Sequence, residues 1–451
     1  MVFRQIRLKI DELKSHISFI KYFKNISWLL LGKALRIFSI GVFNIFLARS
    51  LGPEKMGLLS YASGFTAFIT SFTYLGLDRI VVKELVKQKN KRDVLLGTAF
   101  FLKLACAILV ITVVYSIINS LEGDKYDENI LVFVMSLITI FQSFGVIRFY
   151  FQSKISDKLV VCVDLLGLLT TLILQTLFIL GNVSLIFFAW ALVFENIILA
   201  LGLVFIYGYS KLSILKWFFN FKQAIYLLKE SWPLIISSIA TIIYMRIDQV
   251  MIKIMLGNSE AGYYSVSVMF AEAWNFIPIF ISYSVFPAIV KSKKLGEKIY
   301  YSRLQKFYDL MIWISLIIII PMFFISSWII EFMFGMQYSQ ASEALNIYIW
   351  SIVFLFLGVA NSGYIVNEGL QIIDMIKIII SSIFNIILNY LLIPRIGIEG
   401  AAWSTLISYF TSNYLLLLLF KDTRKSFFLL SKSLLFNSTF IYVKKYIQSI
   451  R

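Results

Sequence analysis

Seven basic residues stand inside apolar stretches of the chain, where a lone charge is costly, and five of them could take part in binding. A Lys or Arg at the centre of a bilayer costs about 2.5–3.5 kcal/mol on insertion scales, so it is expected to face a wet cavity or an oppositely charged partner. Such a set could bind an anion, because the planar guanidinium of arginine suits phosphate and lysine acts as a point charge. The five residues are Lys33, Arg36, Lys103, Arg246 and Lys253.

These cations lie at different depths. A helix rises ~1.5 Å per residue, which places Lys33 and Lys103 roughly 10–14 Å from the cytoplasmic start of their spans. Arg36 lies about 15 Å in and Arg246 about 22 Å in. Lys253 comes near the outer surface, where it either lines the cavity or extends outward into water. The sequence therefore predicts steps of positive charge, so that an anionic headgroup moving outward always has a cation within reach.

Four carboxylates also stand inside predicted spans. Each either neutralises a neighbouring cation or titrates as a coupling site for protons or sodium ions. Asp248 is only two residues from Arg246, so it points to another helix face and is not that arginine's partner on the same helix. The four carboxylates are Asp164, Glu195, Asp248 and Glu272.

The composition indicates that these residues lie in membrane-spanning helices. Of the 451 residues, 59% are hydrophobic and only 15% are charged, which indicates an all-α, polytopic membrane protein. The formal charge of +17 is then a topology signal and does not indicate nucleic-acid binding. We place about 12 spans of ~20 residues, at 27–48, 56–77, 95–118, 130–151, 159–180, 183–207, 232–256, 261–288, 307–330, 344–366, 372–393 and 396–419.

Loop charge gives these spans an orientation. With the N-terminus inside, the cytoplasmic segments hold 31 of the 42 Lys and Arg residues, the external loops four and the spans seven. Positive charge accumulates on the cytoplasmic side of membrane proteins. We therefore expect both termini in the cytoplasm, with the loops after Leu51 and Leu256 outside.

The spans fall into two lobes joined by a basic segment. The leader and the tail are basic and amphipathic, and we expect both to lie on the membrane surface. Within the linker, Trp217 is expected to anchor at the interface. The predicted divisions are an N-terminal helix (1–25), an N-lobe (26–208), an amphipathic cytoplasmic linker (209–230), a C-lobe (231–420) and a cytoplasmic tail (421–451).

The two lobes carry a weak internal repeat. Six spans separate the matching segments, so both begin on the same side of the membrane. The halves are then parallel repeats of six helices each, with the substrate path in a central cavity between them. The alignment pairs Leu51-Gly52 with Leu256-Gly257, Gly57 with Gly262, Ser60 with Ser265 and Asn44 with Gln249.

Four motifs give the chain a family resemblance. They are LARSLGPEKMGLLSYA (47–62), MLGNSEAGYYSVS (255–267), FGMQYSQAS (334–342) and PRIGIEGAAWSTLIS (394–408). They resemble the motifs of Wzx-type bacterial polysaccharide flippases, within the multidrug/oligosaccharidyl-lipid/polysaccharide exporter superfamily. The peptidoglycan-precursor flippases of that superfamily usually carry two further spans, which are not found in this sequence.

The resemblance implies a multi-pass protein of the bacterial inner membrane that works by alternating access. Its expected cargo is an undecaprenyl-pyrophosphate-linked oligosaccharide, used for O-antigen, lipopolysaccharide or capsule. Its expected partners are that lipid-linked oligosaccharide, membrane lipids, a polysaccharide polymerase and a chain-length regulator. Two alternatives remain open: a multidrug cation antiporter of the same fold, which would favour carboxylates in its cavity, and a membrane polymerase or glycosyltransferase, which would need larger external loops.

We find no sequence signature of an enzyme or of a bound cofactor. The chain lacks a phosphate-binding glycine loop, a zinc-spaced set and a nucleophile elbow. His16 is the only histidine, and Cys106 and Cys162 stand in apolar runs that predict no disulfide. Transport is therefore expected to draw on an ion gradient, of protons or sodium, on the membrane potential or on the gradient of the cargo.

Overall fold

Helix forms almost the whole of the described chain. The computed structural model describes the backbone of residues 2–120 and 126–435, together with most side chains from Ser27 onward. Within these residues there are helices and turns and no β-strand. Apolar segments fold in this way because a helix satisfies all of its internal backbone hydrogen bonds without water. The predicted all-α polytopic fold is confirmed.

Eight α-helices begin in the first half of the described residues. They are α1 (Val2–Tyr74), α2 (Leu77–Lys87), α3 (Arg92–Ser120), α4 (Tyr126–Ser136), α5 (Ile138–Gln142), α6 (Val146–Ser153), α7 (Lys158–Leu180) and α8 (Leu185–Tyr209).

A further eight follow. They are α9 (Phe221–Met255), α10 (Asn258–Glu272), α11 (Phe276–Ser292), α12 (Glu297–Phe334), α13 (Ala341–Tyr348), α14 (Ser351–Asn367), α15 (Gln371–Asn413) and α16 (Arg424–Leu434).

The helices account for the expected number of spans. Nine helical stretches of the described chain are long and apolar enough to cross a membrane, and the pair α13–α14, bent by 41°, makes a tenth. Two of the nine contain a backbone break, α1 at Gly52 and α15 at Ile396–Gly397. Counting each broken helix as two crossings gives the 12 spans that hydropathy predicts. Their arrangement as parallel repeats around a central cavity stays a prediction.

The aligned glycines of the repeat adopt the same backbone conformation. Gly52 has φ 76° and ψ 170°, and Gly257 has φ 112° and ψ −177°. A positive φ with an extended ψ is open almost only to glycine, and it ends one helix so that the next can begin in a new direction. Pro53 then starts the next helix, because its fixed φ suits the first helical position. The repeat read from the sequence therefore marks two equivalent turns.

The described residues form two compact units, whose boundaries differ from those of the expected lobes. The first unit contains the described residues up to Phe43 and those from Ile69 to Ile235. The second contains Asn44–Phe68 and the described residues from Ile236 onward. The segment around the Gly52 turn belongs to the second unit because Gly57 packs directly on the backbone at Asn258.

The core of the first unit is built from the apolar faces of α2, α3, α6, α7 and α8. Tyr207 is fully buried there, and the indole N–H of Trp217 donates to its hydroxyl at 3.2 Å. The Phe100 ring lies 5.5 Å from the Trp217 ring. The segment expected to be a separate linker is thus packed on this unit, and the Trp217 ring lies in an aromatic cluster.

The core of the second unit is larger and is rich in buried tyrosine. Tyr300, Tyr308 and Tyr338 are fully buried. The tail expected to lie on the membrane surface begins with α16, which packs against α12. Its Ser426 hydroxyl donates to Asn361 Oδ1 at 2.6 Å, and the Tyr308 hydroxyl donates to the same oxygen at 3.0 Å. The amphipathic leader lies within α1, but its side chains are outside the described residues, so its surface position stays a prediction.

Candidate functional site

An arginine and a glutamate of the first unit form a close ion pair. The Arg36 guanidinium donates to Glu195 Oε1 at 2.6 Å. The Thr171 hydroxyl donates to the second carboxylate oxygen at 3.1 Å. Gly167 lets α7 approach α8 here, since a Cβ at this position would lie 2.9 Å from Leu199. The carboxylate is therefore held by α7 and α8, and the guanidinium reaches it from α1.

The two side chains of the Arg36–Glu195 pair differ in solvent exposure. The glutamate side chain is 7% exposed and the arginine side chain is 37% exposed. A carboxylate buried in this way needs a charged partner, because leaving it alone would cost several kcal/mol. The arginine is the more accessible of the two side chains, and the planar donors of a guanidinium suit a second anion.

A second ion pair of the first unit joins α6 to α7. Two nitrogens of Arg148 donate to the two oxygens of Asp164, at 2.8 and 2.5 Å. This bidentate geometry is the strongest form of an arginine–carboxylate pair. Arg148 lies near the cytoplasmic end of its predicted span, where an arginine is expected to anchor at the membrane interface. The structure shows that Arg148 is instead the ion-pair partner of Asp164.

The two lysines of the first unit have contrasting surroundings. Lys103 is 7% exposed, and its ammonium lies 6.0 Å from the Tyr74 ring centre and 5.9 Å from that of Phe149. Aromatic faces attract a cation through their quadrupole, more strongly when water is excluded. Lys33 is exposed on α1, three residues before Arg36, so the two cations share one side of the helix.

The second unit contains its own arginine–glutamate pair. The Arg246 guanidinium, on α9, donates to Glu272 Oε2 at 3.1 Å. The arginine side chain is 32% exposed and the glutamate side chain 17% exposed, the same order as in the first unit. The other carboxylate oxygen of Glu272 is buried without a hydrogen-bond partner among the described atoms. One more donor or a cation would satisfy this oxygen.

Four carboxylates were singled out in the sequence. Within the described residues, Asp248 is the one of the four that forms no ion pair. It is 3% exposed and accepts hydrogen bonds from the Tyr264 hydroxyl and, at 2.8 Å, from the Gln249 backbone N–H. The Thr405 hydroxyl lies 3.4 Å from the oxygen that the Tyr264 hydroxyl also contacts. Neutral donors offset only part of the cost of burying a charge. A proton or a bound cation would offset the remainder.

Lys253 lies over an aromatic ring of the second unit. Its ammonium is 4.5 Å from the centre of the Tyr61 ring, which belongs to the helix that follows the Gly52 turn. A cation at this distance is held by the face of the ring. Whether Lys253 also lines a cavity stays a prediction.

A comparison with protein families shows which family the chain belongs to. A family model described as polysaccharide biosynthesis protein matches residues 22–293, more than half of the sequence. The chain belongs to the polysaccharide biosynthesis protein family. A second model, described as MatE, matches residues 233–391.

The chain is similar to one capsule protein and to two solved transporter structures. It is 23% identical to the capsular polysaccharide biosynthesis protein CapF of Staphylococcus aureus, over 86% of this chain and 96% of that protein. An inward-facing multidrug resistance MATE transporter of the MOP superfamily superposes with a TM-score of 0.69 at 12% identity, covering 88% of this chain and 96% of the other. The lipid II flippase MurJ, in an inward closed conformation, gives 0.64 at 15% identity, covering 94% and 93%. The structural likeness shows that the chain shares the fold of these two transporters.

The structure brings together most of the residues that the sequence singled out. Arg36 meets Glu195, Arg246 meets Glu272, and Asp164 meets Arg148. Lys33, Lys103, Lys253 and Asp248 are not in these pairs. The neutral donors Thr171, Tyr264 and Thr405 were not predicted, because hydroxyl groups are common in membrane helices and carry no signal of their own.

A row of buried polar residues on α15 was also not predicted from the sequence. Lys377 is 2% exposed and its ammonium pairs with Asp374 at 3.0 Å, one turn earlier on α15. Ser381, Asn385 and Asn389 follow at intervals of four residues and are buried. The four-residue period inside an apolar span was the available signal, since such residues share one helix face.

Proposed function

We propose that this protein is a flippase that moves undecaprenyl-pyrophosphate-linked oligosaccharide units from the inner to the outer leaflet of a bacterial inner membrane by alternating access. The observation that carries the proposal is an arginine in each unit whose side chain is more exposed than that of the glutamate it pairs with, Arg36 with Glu195 and Arg246 with Glu272. In this account both termini are cytoplasmic. A polymerase and a chain-length regulator would use the delivered unit outside.

Each arginine–glutamate pair suits a transient anion site. Without cargo, the carboxylate neutralises the arginine, so that no bare cation faces an apolar wall. When a pyrophosphate arrives, its greater negative charge attracts the exposed guanidinium nitrogens, which donate in a fork. Because the carboxylate stays in place, the anion is held less tightly than by a free arginine. Weak, repeated binding suits a protein that must release its cargo.

The lysines would extend this path. Lys33 is exposed on the same side of α1 as Arg36, and we assign it to the first contact with the headgroup. Lys103, held between aromatic rings, supplies a long-range positive field. Lys253, on the last turn of α9, would meet the anion after Arg246.

Asp248 is our candidate for the coupling site. Asp164, Glu195 and Glu272 each have an arginine partner, so we assign them to charge balance. Asp248 accepts hydrogen bonds from neutral donors and forms no ion pair with a described residue. A proton or a sodium ion that binds there would link the gradient to the opening of the second unit.

The comparisons support this proposal at a coarser level. The name of the relative CapF connects it to capsular polysaccharide biosynthesis, and MurJ is described as a lipid II flippase. The alternative, a multidrug cation antiporter, is favoured by the MATE fold and by the buried carboxylate at Asp248. The candidate site contains five cations and four carboxylates, and for this reason we prefer an anionic cargo.

Reconstitution separates the two functions. Proteoliposomes containing the protein would be loaded with a fluorescent polyprenyl-pyrophosphate oligosaccharide, and a membrane-impermeant quencher would report the fraction in the outer leaflet. We expect protein-dependent movement of this lipid and none of a polyprenyl carrier without the pyrophosphate. Uptake of cationic dyes in exchange for protons, with no movement of the lipid, would establish the antiporter instead.

A further inference from the structure

The row of buried polar side chains on α15 has no role in the function proposed above. It lies on the first part of that helix, before the break at Ile396–Gly397. Its members recur every four positions, so they share one helix face, and none is more than 2% exposed. This polar row consists of Lys377, Ser381, Asn385 and Asn389.

Several buried atoms in and beside the polar row have no hydrogen-bond partner among the described atoms. Three belong to the row, Ser381 Oγ, Asn385 Nδ2 and Asn389 Oδ1, and a fourth is Ser408 Oγ on the second part of α15. Leaving buried polar groups unsatisfied is costly, and buried water offsets that cost by making about two to four hydrogen bonds with them. Because the set contains an amide donor as well as acceptors, it suits water better than a metal cation.

Contacts with α9 give the relative depth of the two parts of α15. On the first part, the Ser382 hydroxyl donates to the Ala240 carbonyl oxygen at 2.8 Å. On the second part, the Thr405 hydroxyl lies 3.4 Å from a carboxylate oxygen of Asp248. Ala240 and Asp248 are two helical turns apart, which is ~12 Å along the helix axis. The two parts of α15 therefore contact α9 at a lower and an upper level, and the upper level is that of Asp248.

The unpartnered groups lie between these two levels. The two parts of α15 fold back on each other, because a Cβ on Gly400 would lie 2.6 Å from the backbone of Leu392. Asn385 and Asn389 come about one and two turns after the lower contact, on the way to the break. Ser408 comes about one turn after the upper contact, on the way back. These groups therefore cover the distance from the lower contact to Asp248.

The other end of the polar row is charged and reaches the surface. The Lys377 ammonium pairs with Asp374 at 3.0 Å, and the Asp374 side chain is 37% exposed. Asp374 stands in the first turn of α15, which is expected on the cytoplasmic side. A buried ammonium at this entrance repels a sodium ion, whereas it can release one proton and regain another. The row thus joins an accessible carboxylate to a buried one and favours protons over sodium.

We propose that the polar row holds water molecules and conducts protons from the cytoplasmic side to Asp248. The proposal rests on Asp248 being the coupling site of the proposed function, and it names the proton as the coupling ion. A proton binds to the Asp374 carboxylate and passes to Lys377, whose ammonium releases another to the row. Each water or hydroxyl then accepts one proton and releases one, and the Asp248 carboxylate takes up the last. The amides of Asn385 and Asn389 hold the water and do not change.

The charges around Asp248 fit its role as the end of this path. Arg246 is already balanced by Glu272 at 3.1 Å, and the neighbouring tyrosines are neutral when protonated. The Asp248 carboxylate is then the one uncompensated charge of this cluster, and a proton removes it. The titratable and charged groups that face Asp248 are Tyr264 on α10, Tyr348 on α13, Tyr409 on α15, Arg246 on its own helix and Glu272 on α10.

Time-resolved infrared spectroscopy of the full chain in lipid nanodiscs tests the path without any cargo. The band of the protonated Asp248 carboxyl is the one that Asp248→Asn removes, and its growth after a downward pH step gives the rate of protonation. Asn385→Leu should lower this rate about tenfold or more, because leucine has no group that holds water. Asn385→Ser, which keeps a hydroxyl and leaves room for water, should stay near the unsubstituted rate. Ser382→Ala, at a similar depth but off the row, is the matched control and should not change it.

The final size of the band and the thermal unfolding midpoint distinguish conduction from a structural role. In Asn385→Leu both should match the unsubstituted chain, so that only the rate differs. An unsubstituted rate in Asn385→Leu, an equal slowing by Ser382→Ala, or no pH-dependent Asp248 band would each overturn the path. A lower midpoint with a smaller final band would make Asn385 a purely structural residue and would overturn it too. The result does not depend on lipid movement, so a failure of the flippase assay and a failure of the path are separate findings.

Discussion

Gly57 and Gly262 lie against each other's helix starts in a reciprocal contact. A Cβ built on Gly57 would lie 1.8 Å from the Asn258 carbonyl oxygen, and one on Gly262 would lie 2.0 Å from that of Pro53. The repeat aligns Gly57 with Gly262, and the same offset aligns Pro53 with Asn258. The glycine of each half therefore packs against the first residue after the glycine turn of the other half. The contact has the two-fold symmetry expected of an internal duplication.

We expect Gly57→Ala to destabilise the protein. The added methyl group meets backbone atoms that cannot rotate away, and overpacking of this kind typically costs about 1–3 kcal/mol. Gly41→Ala, on the same helix with no atom within 4 Å, is the control and should be neutral or slightly stabilising. Thermal unfolding in detergent would measure both. An unchanged midpoint for Gly57→Ala would show that this contact is not formed in the membrane.

The Arg148–Asp164 pair should behave as a structural element. Removing one partner leaves the other charge half-buried and alone, so Arg148→Gln should lower the unfolding midpoint. The double variant Arg148→Gln/Asp164→Asn should recover much of the loss, because both charges are then absent. Transport per folded molecule should stay near the wild-type rate. A normal midpoint with lost transport would instead move Arg148 into the substrate path.

Asp248→Asn should remove the dependence of transport on the ion gradient. The amide keeps the size of the side chain and cannot bind a proton or balance a sodium ion. Binding of the lipid-linked oligosaccharide should remain measurable. Glu272→Gln, whose parent carboxylate already balances Arg246, is the comparison and should retain the dependence. If Asp248→Asn responds to pH and sodium like the wild type, coupling lies elsewhere.

Single cysteines test the predicted topology. In a chain with Cys106 and Cys162 replaced, Glu54→Cys should react with an impermeant maleimide on intact cells, because the Gly52 turn is expected outside. Lys294→Cys should react only after the membrane is opened. This follows from the 31 basic residues in the segments assigned to the cytoplasm. Labelling of position 294 but not 54 in intact cells would invert the predicted orientation.

The sequence predicted the fold better than it predicted the contacts. Hydropathy located the spans, and the repeated Leu-Gly pair located the turns at Gly52 and Gly257, because both signals are local. The partner of Arg36 is 159 positions away along the chain. No local pattern connects two such residues, so Glu195 could be proposed only as one of several candidates.

Two departures from the sequence-based view have physical causes. The segment Asn44–Phe68 joins the second unit because of a backbone contact at Gly57, and such a contact has no signature in hydropathy. Lys377 was not among the residues singled out in the sequence, and a lysine near the start of an apolar span commonly extends to the membrane interface. Its burial depends on the neighbouring helices, which sequence alone does not position.

The central claim is that Arg36 and Arg246 bind the pyrophosphate of the cargo, and translocation in proteoliposomes tests it most directly. Arg36→Ala and Arg246→Ala should each reduce the rate by about 10- to 100-fold, the cost of losing one or two charge-assisted hydrogen bonds. Lysine at either position should restore only part of the rate, because the bidentate fork is lost. Arg395→Ala, at an exposed arginine outside the candidate site, should leave the rate unchanged. Wild-type rates for both alanine variants, at equal amounts of reconstituted protein, would contradict the account.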